Sequence, residues 1–238
     1  MIETTDDKLL DGRVILRQPV KGYRAAVDPV LLAAAVKPAY GHRVLDAGCG
    51  TGAAALCLAA RLPHAVITGL EIQGAYARLA RENAVLNHMQ DRVRIVEGDL
   101  AAPPDLGAPF DVAITNPPFG ADGTPPADAG LATAHMESHL ALGPWIKACL
   151  ALIRSNGRLV VIHRADRVSA LLAALAPGCG DIHVLPVLPK PGEPARRVIV
   201  DAGKGRRTPD TLLAGFVLHR DDGRFTAAAD AVLRGGPL

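Results

Sequence analysis

Arg43-Val44-Leu45-Asp46-Ala47-Gly48-Cys49-Gly50-Thr51-Gly52 decides the fold. The apolar run Arg43 to Asp46 reads as a strand, and the pattern from about Thr51 to Arg61 reads as a helix. Between them lie three glycines in five residues. Without a Cβ, Gly48, Gly50 and Gly52 let backbone N–H groups approach a ligand at the start of a helix. This is the geometry of a loop that cradles a nucleotide.

Further along, strand and helix patterns alternate. Val66 to Glu71 is expected as the second strand, Gly74 to about His88 as a helix, and Val93 to Glu97 as the third strand. Val112 to Thr115 is the fourth, a helix covers about Trp145 to Arg154 and stops at Asn156-Gly157, and Leu159 to Ile162 is the fifth. Such alternation predicts a parallel, doubly wound sheet, with right-handed crossovers placing every loop that follows a strand on one edge. Near the C-terminus the connections shorten. Ile182 to Leu185, Val198 to Val200 and Phe216 to Leu218 read as strands, for which short connections favour antiparallel pairing. A last short helix is expected over Thr226 to Leu233. The Pro- and Gly-rich stretches 101–109 and 120–130 read as loops, the second a candidate flap over the site.

Two acidic residues fall where a nucleoside would need them. Glu71 ends its strand 19 residues after Gly52 and can accept from both ribose hydroxyls. Asp99 follows the third strand, where it can accept from an adenine amine. Asn116-Pro117-Pro118-Phe119 ends the fourth strand on the same edge. The nitrogen of an exocyclic amine or a side-chain amide is a poor nucleophile because its lone pair is conjugated. Two fixed acceptors, the Asn116 side-chain oxygen and the Pro117 carbonyl, would favour its pyramidal transition state. Pro117 and Pro118 hold the segment rigid, and Phe119 can stack on a planar target.

At these residues the chain resembles class I S-adenosylmethionine-dependent methyltransferases that act on nitrogen, those with a small methyltransferase domain. Within them it is most similar to the bacterial tRNA adenine-N6 methyltransferases. The resemblance extends to Tyr23 to Leu32, to Ala195 to Val200, to Lys204-Gly205 and to Val217 to Gly223, nearly the whole chain. It implies a Rossmann-like α/β fold with seven strands, mostly parallel, ending in an antiparallel C-terminal pair. It also implies a single domain over 1–238: an N-terminal extension (1–40) covering the cofactor pocket, a core (41–164) and a C-terminal sheet edge (165–238). Asp46, two residues before the first glycine, matches the acidic position of this class. The residues expected at S-adenosyl-L-methionine are Asp28, Asp46, Gly48, Cys49, Gly50, Thr51, Gly52, Glu71, Ile72, Asp99, Leu100 and Asn116, with Val27 in support. Asn116, Pro117, Pro118 and Phe119 are the expected catalytic set. Gly48 to Ala53 also satisfies G-x-G-x-x-A, which keeps an NAD-dependent oxidoreductase as the remote alternative.

Composition bounds the partners. Apolar residues make up 49% of 238, enough for a sizeable core, but aromatics are only 3%. No apolar run suffices for a membrane span, and the acidic N-terminus lacks the basic start of a signal peptide. Four cysteines without a CxxC pair fit packing roles in a reducing cytoplasm. No metal is expected; His135 and His139 share a helical spacing but have no evident third ligand. With a net charge of +2, an RNA partner would need local basic patches. Lys190, Arg196, Arg197, Lys204, Arg206 and Arg207 form one group, and Arg13, Arg17, Lys21 and Arg24 another. Of these, Arg24, Lys190, Arg196 and Arg197 are the expected RNA contacts, with tRNA the expected substrate. Many adenine enzymes have Tyr where this chain has Phe119. That leaves guanine N2 of rRNA and a protein glutamine as alternative acceptors, and a catalytically dead RNA-binding scaffold as the non-enzyme option. Glutamine enzymes usually carry an added N-terminal helical domain, and only about 40 residues precede the first core strand here.

Overall fold

The structure is a computed structural model, which describes residues 3–21, 24–37, 39, 41–107, 109–118 and 140–238. Strands β3 (Arg43–Ala47), β4 (Val66–Glu71), β5 (Val93–Glu97), β6 (Phe110–Thr115) and β7 (Ile153–Arg164) form its parallel core. β8 (Cys179–Leu188) and β9 (Arg197–Lys204) follow. Two two-residue strands, β10 (Thr211–Leu212) and β11 (Phe216–Val217), pair with the outer edge of β8. The sheet order is β10-β8-β9-β7-β6-β3-β4-β5, nine strands with β11 included. Eight of these coincide with the expected strands, β11 among them, and β10 is the addition.

Alternate residues serve opposite faces, as strand geometry requires. Val44, Val112, Ile114, Val160 and Ile162 enter one apolar layer with helices α1 (Val27–Ala35) and α2 (Ala53–Arg61). Leu45, Ala113, Leu159 and Val161 enter the other, with α4 (Leu142–Leu152) and α5 (Val168–Leu175). Burial on both faces is why these strands read as continuous apolar runs. α3 (Gly74–Leu86) joins β4 to β5, and α6 (Ala227–Leu233) packs against α1.

β9 runs antiparallel to both β7 and β8, so the expected C-terminal antiparallel pairing is present. β11, however, pairs parallel with β8 despite its short connection. β9 ends at Lys204 opposite Cys179, the first residue of β8, so the chain that continues along the free edge of β8 runs in β8's own direction. The Asn156-Gly157 stop is also displaced. α4 ends at Leu152 and β7 begins at once, with Asn156 (φ +59°) in a register shift opposite β6. Asn-Gly supplies a left-handed residue wherever the chain needs one, at a helix end or inside an irregular strand.

The first 20 residues contain a hairpin, β1 (Thr4–Leu9) with β2 (Val14–Pro19). Asn83 of α3 and Asn87, which caps its end, hold it. Asn83 Oδ1 accepts from Arg17 N–H at 2.8 Å and Asn83 Nδ2 donates to Arg17 O at 2.9 Å, and Asn87 does the same for Ile15.

Candidate functional site

β3, β4 and β6 run parallel, so their C-terminal ends open on one edge. A cavity there is lined by Asp46, Gly48 to Thr51, Glu71, Ile72, Asp99, Leu100 and Asn116 to Pro118. The glycine loop that follows β3 is left-handed at Gly48 (φ +73°), Gly50 (+55°) and Gly52 (+86°). A Cβ on Gly48 would also sit 2.9 Å from the Trp145 ring. A side chain at that position is therefore excluded twice, by backbone conformation and by space.

Asp46, at 2% exposure, accepts through Oδ2 from Ala55 N–H at 3.0 Å and so satisfies an otherwise open donor in the first turn of α2. Burial pushes its carboxyl up to about 7, and nearby Glu71 adds to the push while the Ala55 bond opposes it. The folded value lies above that of an unfolded Asp. Protonated Asp46 therefore favours the folded state at low pH, and that contribution is lost as pH rises from about 4 to about 7, on the order of 4 kcal/mol. Asp46→Asn keeps the acceptor for Ala55. Its unfolding free energy should fall less than the parent's over this window in urea titrations at several pH values; parallel profiles would refute the assignment.

Glu71 is fixed by two backbone donors. Gly50 N–H donates to Oε2 at 2.8 Å and Gln73 N–H to Oε1 at 2.9 Å. One carboxylate thus joins the glycine loop to the start of α3. Asp99 is held in a turn, its Oδ1 accepting from Ala101 N–H at 2.8 Å. Burial raises the Cys49 thiol well above its ordinary range, and Asp46 and Glu71 reinforce this, so Cys49 stays a neutral wall residue.

The segment Asn116 to Pro118 is positioned from behind. Trp145 Nε1–H donates to Thr115 Oγ1 at 3.0 Å, and the Thr115 hydroxyl donates to Ala47 O at 2.8 Å. This buried chain ties the end of β6 to the end of β3, one residue before Asn116 and before Gly48. Trp145→Phe removes the N–H but keeps much of the ring volume. It should lower stability by about 1–2 kcal/mol, read as a lower urea midpoint; an unchanged midpoint would mean that the bond contributes nothing.

The N-terminal segment closes one wall through Ala25, Pro29 and Leu32. The Gln18 side-chain amide holds Ala25 there, accepting from its N–H at 2.6 Å and donating to its carbonyl at 3.0 Å. Gly52 and Asp28, both expected at the cofactor, are absent from the lining, and Asp28 Oδ2 accepts from Arg197 Nε at 2.9 Å. Arg197 is therefore committed to this ion pair, and Arg24 is held by Asp7, Thr5 and Pro19 O within the hairpin. Lys190 Nζ donates to Asp221 O at 3.4 Å, while Arg196 is 74% exposed beside Glu193.

The larger basic group is split by the strand it flanks. Lys190, Arg196 and Arg197 lie at the cavity edge of the sheet. Lys204, Arg206 and Arg207 lie at or beyond the other end of β9, roughly 23 Å away at ~3.3 Å per residue. Lys204 Nζ caps the carbonyls of Leu150 and Ile153 there. Phe119, His135 and His139 fall outside the described residues, among which no cluster of three metal-ligating side chains occurs. Sequence reasoning missed Gln73, Tyr76, Leu140 and Trp145 in the lining. Only Trp145, the one tryptophan of the chain, carried a signal.

A family model described as "Methyltransferase small domain" matches residues 27–173. A protein of Aeromonas hydrophila called tRNA1(Val) (adenine(37)-N6)-methyltransferase is 29% identical over 207 residues, 85% of each chain. A protein of the same name from Bacteroides thetaiotaomicron is 31% identical over 185 residues, 74% of this chain and 75% of that one. Among solved structures, one titled a predicted O-methyltransferase from Agrobacterium tumefaciens aligns with a TM-score of 0.73 at 29% identity, over 89% of this chain and 98% of that one.

Proposed function

Because this chain belongs to the methyltransferase small domain family and is an S-adenosylmethionine-dependent methyltransferase, we propose that it methylates the exocyclic N6 of an adenine in a tRNA. The observation that carries this reading is the meeting of Asn116-Pro117-Pro118 with the glycine loop and three strand-end carboxylates in one cavity.

The cavity fits the cofactor part by part. The left-handed glycine loop admits close backbone approach, Glu71 can accept from ribose hydroxyls, and Asp99 from the adenine amine. Ile72 and Leu100, each directly after one of these carboxylates, offer apolar faces to the purine. Asp46, in its ionised form, complements the positive charge of the amino-acid and sulfonium end. When bound, S-adenosylmethionine supplies an electrophilic methyl carbon.

The acceptor is the other half of the reading. Asn116 Oδ1 and the Pro117 carbonyl accept from the two N–H groups of the target amine. They hold its lone pair toward the methyl group and favour the pyramidal nitrogen of the transition state. Two prolines and the Trp145–Thr115–Ala47 chain keep these acceptors in place before substrate arrives. We assign Phe119 the stacking role that the sequence suggests. A base inside folded RNA must be turned out to reach this cavity.

The test is product identity. Unmodified bulk tRNA is incubated with protein and S-adenosylmethionine, digested, and its nucleosides analysed. N6-methyladenosine supports the reading; N2-methylguanosine or an oxygen-methylated ribose as the product would overturn it.

A further inference from the structure

The turn after β11 stands on the same edge as the cavity. β11 is parallel to β8, and β8, β7, β6 and β3 all share one direction, so the chain beyond Val217 emerges where the glycine loop does. Four strand spacings separate β11 from β6, about 19 Å at ~4.8 Å each.

At the tip of this turn the His219 and Phe225 rings stack, with centroids 4.7 Å apart and planes 24° from parallel. Phe225 is 38% exposed, in a chain with only four phenylalanines. The tip is rigidly built. Arg220 N–H donates to Arg224 O at 2.8 Å, Gly223 turns the chain at φ +82°, and Thr226 Oγ1 donates to Val217 O at 2.9 Å. His219 Nδ1 lies 3.1 Å from Pro189 O, a contact that requires the Nδ1–H tautomer and sets the ring plane. Lys190 ties the tip to the β8–β9 connection. Arg220 and Arg224, next in sequence to His219 and Phe225, have side chains 52% and 77% exposed, both near Asp222. Ion pairs this exposed are weak, so a phosphate can take these guanidiniums.

A partly exposed aromatic ring close in the chain to two solvent-exposed guanidiniums, on a hydrogen-bonded turn, fits a stacked base with adjoining phosphates. We propose that the His219–Phe225 tip is a second RNA contact, where a nucleobase outside the cavity stacks on Phe225 while Arg220 and Arg224 hold adjoining phosphates. This rests on the RNA reading above. At ~19 Å from β6, the contact engages a nucleotide several positions from the methylated base and selects RNA by the reach of its unpaired segment.

The experiment is steady-state methyl transfer into tRNA by the full chain. Phe225→Ala should raise the KM for tRNA about tenfold, with kcat and the KM for S-adenosylmethionine unchanged, and Phe225→Trp should restore the parental KM. The double variant Arg220→Gln, Arg224→Gln should reduce the slope of log KM against log salt by about 1.5. It decides the matter if Phe225→Ala proves unfolded by circular dichroism. A folded Phe225→Ala variant with parental KM, or a double variant with the parental salt slope, would overturn the platform and leave the RNA reading intact. A parental protein that transfers no methyl to RNA would overturn both.

Discussion

Asn116→Ala should lower kcat for methyl transfer several hundredfold while cofactor affinity changes only a few-fold. The side-chain amide oxygen is the proposed acceptor that aims the target nitrogen, and losing one preorganised polar group at a reacting centre typically costs a factor of 10²–10³. The proposed cofactor contacts lie elsewhere in the cavity, at the glycine loop, at Glu71 and at Asp99 just beyond β5. Single-turnover transfer of labelled methyl gives the rate, and titration calorimetry with S-adenosylmethionine gives the affinity. Near-parental turnover would remove Asn116 from the chemistry. An equal loss of affinity and rate would make it a cofactor residue only.

Glu71→Ala should weaken S-adenosylmethionine binding about a hundredfold, in line with losing charged hydrogen bonds worth roughly 1.5–3 kcal/mol. It removes the proposed ribose acceptor and also releases Gly50 and Gln73, whose N–H groups the carboxylate holds at 2.8 and 2.9 Å. Glu71→Gln should be nearly as damaging. Both oxygens accept from backbone donors, so an amide must turn an N–H toward one of them. Equilibrium dialysis measures both variants; a Gln variant that binds as well as the parent would mean that the two backbone bonds do not organise the loop.

The central strands β3, β6 and β7 were legible because they are buried on both faces and so appear as apolar runs, while β5 at the sheet edge alternates, with Arg94 exposed between Val93 and Ile95. The glycine loop and the register of Glu71 were legible because local backbone demands select those residue types. The hairpin was harder. β1 reads Thr-Thr-Asp-Asp-Lys-Leu, with no apolar alternation, and only Asp11-Gly12 marks the turn. Its anchoring by Asn83 and Asn87 is a long-range contact that no local pattern encodes. α5 was missed because Val168 to Leu175 offers neither a capping side chain nor a polar face to mark it. At the site, Trp145 reaches Gly48 only after α4 packs on the sheet. Asp28 matched the family pattern by position, yet its orientation follows from where β9 delivers Arg197. The basic group looked like one patch because its members are close in sequence, and the reversal of β9 sends half of it to the far end of the sheet.

The most direct measurement is the partition of labelled methyl from S-adenosylmethionine between the RNA and protein pools of one extract, compared for the parent and Asn116→Ala. The account predicts label in RNA, recovered in tRNA as N6-methyladenosine and lost in the variant. Label that appears in protein, or that persists in RNA with the variant, would contradict it.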